Sequence, residues 1–159
     1  MGIDGDLYQF VKVLHILAVI IGFGGTFIAA FYGAESTKRP GAECLVIAES
    51  TLKVTGLVPT MAVYSVPILG ILLILLSDDL FKFSEPWISL AFLLYIALII
   101  LDVVVQVPAI RKMIAVQAGG GSGSFDEMRR LNKTVATAGG IVNLLWIAIL
   151  FLMVFKPGQ

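Results

Sequence analysis

The chain holds one histidine, and it stands inside the first apolar run, Gln9-Phe-Val-Lys12-Val-Leu-His15-Ile-Leu-Ala-Val-Ile-Ile-Gly-Phe-Gly-Gly-Thr-Phe27. Lys12 precedes it by three residues, a spacing that puts both side chains on nearly the same face of a helix. An ionisable group inside an apolar helix is costly and marks function by default. His15 supports three readings. It hydrogen-bonds a facing helix and locks a bundle, it relays protons, or it ligates the metal of a tetrapyrrole, for which imidazole is the usual axial ligand. Gly22, Gly24 and Gly25 follow two to three turns later. They open space for a flat ligand and equally permit bare helix contact. With one histidine per chain, a bis-imidazole haem needs two chains; Tyr64, Tyr95, Met61 and Lys12 are the other conceivable second groups.

Three further polar residues interrupt the apolar runs: Asp102, Gln106 and Asn143. At 1.5 Å per helical residue, His15 and Asn143 fall roughly 12 Å and roughly 18 Å from the same bilayer surface. The two are therefore expected to share a layer near the midplane. Lys12, His15 and Asn143 form the candidate cofactor site, with His15 as metal ligand and Lys12 free to snorkel outward. Asp102 and Gln106 lie one turn apart on one face. Asp102 either pairs with a basic residue such as Lys53 or Lys133 or handles protons. The single Cys44 is placed in a loop without an intrachain partner, and no Cys/His cluster suits zinc or an iron–sulfur centre.

The elements that position these residues follow from composition. Of 159 residues 58% are hydrophobic and 14% charged, and the formal net charge is zero. Mean hydropathy is +0.98. A soluble domain is about a quarter charged, so this is the composition of an integral membrane protein. The charge balance gives no case for nucleic acid. Four runs meet the ~20-residue spanning requirement, about 7–32, 54–76, 87–107 (with a continuation toward Ala115) and 135–155. Backbone groups in hydrocarbon must pair internally, so the runs are helices, and short links make them one all-α antiparallel four-helix bundle. The second span carries Pro59 and Pro67 and should bend. Ala118-Gly-Gly-Gly-Ser-Gly-Ser124 reads as a flexible tether. Phe125–Leu131 reads as a short surface helix leading into the fourth span.

Basic residues set the orientation. Lys38, Arg39, Lys53, Arg111, Lys112, Arg129, Arg130 and Lys133 flank the first and third loops, against Lys12, Lys82 and Lys156 on the other side. Both termini are thus expected outside and the longer loops in the cytoplasm. The acidic start, Asp4 and Asp6, is unlike a positive signal leader, so the first helix is expected to remain as an anchor.

The opening Lys12-Val-Leu-His15-Ile-Leu-Ala-Val-Ile-Ile-Gly-Phe-Gly-Gly resembles the first helix of HemJ-type and CopD-like membrane proteins, and Val154-Phe-Lys-Pro157 resembles the close of HemJ-type chains. That resemblance implies haem binding at His15 and oxidation of protoporphyrinogen. HemJ-type proteins carry a lysine in the third helix, whereas no Lys lies here between Trp87 and Arg111. The chain is also similar to a broad group of uncharacterised bacterial four-helix membrane proteins. They share the Lys-x-x-His first helix, a proline-kinked second span and a third span ending like Val107-Pro-Ala-Ile-Arg111. That likeness implies a bacterial inner membrane and no reaction. Two functions follow as expectations. One is a haem b or other tetrapyrrole protein with a redox or porphyrin-handling role. The other is a non-catalytic accessory subunit, in a homo-oligomer or a larger membrane complex, docking through Gly22, Gly25, Gly139 and Gly140.

Overall fold

A computed structural model of the chain describes residues 3–36, 43, 46–47, 49–50, 53, 56–118 and 125–158. Its helices are α1 (Asp6–Ser36), α2 (Val58–Leu75), α3 (Pro86–Leu101), α4 (Val107–Ala118) and α5 (Phe125–Phe155). A π-helical turn, Asp102–Gln106, joins α3 to α4 without a break. No strand occurs among the described residues. Four rods are long and apolar enough to cross a bilayer: Asp6–Gly33, Val58–Leu75, Pro86–Val116 and Asp126–Phe155. The molecule is an all-α membrane bundle.

Local chemistry explains the ends. Pro86 opens α3 and Pro59 sits in the first turn of α2, where a missing N–H costs nothing. Asp6 in α1, and Asp126 and Glu127 in α5, place acids at helix starts, as the helix dipole favours. After α2 the chain reverses through Asp78 and Asp79, both left-handed at φ 51° and 64°. The buried Ser77 hydroxyl pins that turn, donating to Ile74 O at 2.7 Å and accepting the Phe81 N–H at 3.1 Å. Lys156 closes the same end of the bundle, its Nζ 4.4 Å from the Phe81 ring and 5.7 Å from the Trp87 ring.

The helices pair as two antiparallel hairpins, α1 with α2 and α3 with α5, joined where α1 meets α5. At the centre Trp146 is fully buried, edge-on to Tyr95 at 5.7 Å and beside Phe23 at 6.0 Å. The α1–α2 hairpin crosses closely through glycine: Gly22 lies against Val63 and Gly25 against Pro59.

Pro67 stands inside α2 and has no N–H for the carbonyl of Val63 one turn back. The Tyr95 hydroxyl, arriving from α3, donates to that carbonyl instead. Sequence and tertiary structure are thus coupled across two spans. Tyr95→Phe should cost about 1–2 kcal/mol by leaving a buried carbonyl unpaired. In a Pro67→Ala background, where α2 regains its own N–H, the same change should cost almost nothing. A double-mutant cycle in detergent reads that difference, and additive costs would refute the coupling.

One expectation changes. The segment Phe125–Leu131 is no separate surface helix but the first turns of α5, because no glycine or proline interrupts the chain before Gly139. The third rod takes the longer of its expected courses and runs on through Pro108 to Val116, with the π turn just before the proline. Cys44, and the Gly/Ser tether apart from Ala118, lie outside the described residues. Glu43, Val46, Ile47, Glu49, Ser50 and Lys53 in the first connection are helical.

Candidate functional site

His15 sits on α1 facing α2. The ring is half-buried, and a methyl built on Gly70 would stand 3.5 Å from Cε1 and 3.9 Å from Nδ1. The Val66 backbone approaches the imidazole, yet Nδ1 is enclosed and completes no hydrogen bond. An enclosed nitrogen without a partner is uncommon and calls for an explanation. Lys12 is exposed and turns toward the start of α1, its Nζ 6.0 Å from the Tyr8 ring centroid.

Asn143 is not with them. Its Oδ1 lies 3.5 Å from the Thr26 hydroxyl. Thr26 is eleven residues beyond His15 on α1, roughly 16 Å along the helix. The expected common layer of His15 and Asn143 is therefore two separate levels, with the aromatic group of Phe23, Tyr95 and Trp146 set at the upper edge of the second. Inter-helix register follows this ring packing, which no count from helix ends includes.

The second level carries the other polar residues. Gln106 is 8% exposed, its Oε1 has no partner, and its amide faces the bare Cα of Gly139, 3.8–3.9 Å from where a Cβ would be. Asp102, one turn from Gln106, is half-buried in the π turn. It forms no ion pair with Lys53 or Lys133; the pair among the described residues here is Lys112 with Glu127 at 2.9 Å. Thr26 and Gly70 carry weight that sequence reasoning did not assign, because what each meets on a neighbouring helix shows only in the packing.

The chemistry open to these residues is limited. Among the described residues no three His, Cys, Asp or Glu side chains come together as a metal site. Tyr95 is committed to Val63, and Met61 and Tyr64 are exposed on α2. Gly22 and Gly25 are filled by α2 and Gly139 faces Gln106, so none opens space for a macrocycle between the helices or forms a docking face. Of the glycines proposed for docking, Gly140 alone meets nothing within 4 Å. An apolar groove of about 380 Å³ lies between α3 and α5, lined by Leu90, Leu94, Phe151, Leu152 and Phe155, away from His15. A tetrapyrrole fits His15 only from the exposed edge of the ring, with Lys12 one turn along to meet a carboxylate; Asn143 does not fit such a group.

In comparison with known proteins, residues 9–157 match a family model described as "Predicted integral membrane protein (DUF2269)". No curated protein and no solved structure matches the chain.

Proposed function

Since the chain belongs to the DUF2269 family of predicted integral membrane proteins, we propose that it is a tetrapyrrole-binding protein of the bacterial inner membrane that presents His15 as a single axial ligand. The half-buried imidazole, with its enclosed Nδ1 beside the Val66 backbone and its opposite edge open, carries this reading. In an axial ligand one nitrogen meets the metal and the other is oriented by a backbone carbonyl or carboxylate, and the Val66 backbone stands where such a partner is needed. The resemblance of the first helix and of Val154–Pro157 to HemJ-type chains supports the same choice. A bound haem b would supply one-electron chemistry. The protein's part is to hold the ring edge at a fixed depth and to set a cation, Lys12, beside the carboxylates. Eight basic residues at the loop-bearing end against three at the other favour both termini outside. With one imidazole per chain, a bis-imidazole site would need a second copy of the chain.

The alternative is an accessory subunit of a larger complex. Gly24 and Gly140, which meet nothing within 4 Å, favour it as points where another helix could approach.

An absorption spectrum of the protein in mild detergent, before and after dithionite, separates the two. A Soret band that shifts on reduction, vanishes in His15→Ala and survives in Asn143→Ala is the expected result. Lys12→Ala should loosen the pigment without abolishing it. A colourless protein, or a band indifferent to His15, would sink the proposal.

A further inference from the structure

The second polar level has no part in that reading, and it poses its own electrostatic problem. Asp102 brings a carboxylate into an apolar span and has no ion pair among the described residues. Such a charge must be compensated. Around it stand the side-chain amides of Gln106 and Asn143 and the hydroxyl of Thr26, none of them charged. Gln106, whose Oε1 has no partner, turns its amide toward the space left by Gly139. From Gln106 to Asp102 is one turn along the third rod, and from Gly139 to Asn143 is one turn along α5. The two rods run antiparallel and these steps point the same way, so Asp102 and Asn143 arrive at one level.

Thr26 completes the level from α1. Its hydroxyl hydrogen is already given to Phe23 O at 2.9 Å, and its oxygen lies 3.5 Å from Asn143 Oδ1. Any hydrogen bond that the Thr26 hydroxyl shares with Asn143 Oδ1 is long and contributes little. Oxygen ligands about 2.3–2.6 Å from a hard cation stand roughly 3.3–3.7 Å apart when they meet it at right angles. The observed 3.5 Å fits two ligands on one ion as well as it fits a long hydrogen bond.

We infer that Asp102, Gln106, Asn143 and Thr26 form a binding site for one monovalent metal cation. The charge decides the class. One carboxylate among neutral oxygens balances a single positive charge, whereas a divalent ion would call for further acids, and none cluster here among the described residues. The π turn serves the site by holding Asp102 and Gln106 toward α5 despite the following Pro108; π turns recur at functional positions.

The test is thermal unfolding of the full chain in mild detergent, with choline chloride replaced stepwise by NaCl or KCl at constant ionic strength. The midpoint should rise saturably, by several degrees, for at least one of the two ions. Asp102→Asn and Asn143→Ala should weaken the apparent affinity about tenfold or more, while His15→Ala leaves it unchanged. ²³Na line broadening by the wild type gives a second readout that needs no variant to fold. The site is refuted if neither metal ion differs from choline, or if Asp102→Asn responds like the wild type. It is equally refuted if stability follows pH but not the identity of the cation, which would mean that a proton alone neutralises Asp102.

Discussion

Trp146→Ala should lower stability by about 3–5 kcal/mol, the largest loss from any single substitution in this bundle. Among the described residues Trp146 is the one large side chain with no exposed surface, and it touches Phe23 of α1 and Tyr95 of α3 from its place on α5. In a bilayer, lipid tails are as apolar as the core, so helices associate through close packing rather than through escape from water. A void at Trp146 removes that packing from three rods at once, because the lining atoms lose their partners outright. Trp146→Phe should cost much less. It keeps a ring between Phe23 and Tyr95 and removes an indole N–H that has no acceptor. Unfolding in mixed micelles of rising SDS content measures both; equal losses for Ala and Phe would show that the core is organised elsewhere.

Gly25→Ala should destabilise by about 1–3 kcal/mol, although alanine is the better helix former. The added methyl would stand 2.6 Å from Pro59 Cβ and 3.0 Å from its Cγ. Pro59 cannot move aside: its ring is fixed to the backbone in the first turn of α2, so α1 and α2 must separate. Gly24→Ala is the matched control. Nothing lies within 4 Å of that position, and the change should stay within about 0.5 kcal/mol of wild type or stabilise slightly. The same micelle titration reads the pair, and a neutral Gly25→Ala would mean that the two helices do not cross so closely.

These two cases show what could be read from sequence and what could not. The rods were legible because a membrane leaves helices as the only solution for an apolar run. Asp102 and Gln106 were legible as one face from their spacing of four. The glycines were not, since an absent side chain looks the same whether a ligand or a neighbouring helix fills the gap; α2 fills it at Gly22 and Gly25. The level of Asn143 was misjudged because register depends on how Phe23 meets Trp146, a pairing between residues far apart in the chain. Tyr95 looked like a spare ligand, and only the contact with Val63 shows that Pro67 has already engaged it.

The π turn at Asp102–Gln106 has a bearing on how this span can change length. A residue inserted into a regular helix rotates everything after it by about 100° and moves one face into the wrong surroundings. A π turn is such an insertion confined to a single widened loop of backbone, with the faces on either side kept in place. The third rod therefore holds a spare residue. Loss of one valine from Val103–Val105 would close the loop into ordinary helix and leave Tyr95 and Met113 facing as before. Shorter relatives of this chain should show their gap at that point, where a deletion in any other rod would turn half its surface around.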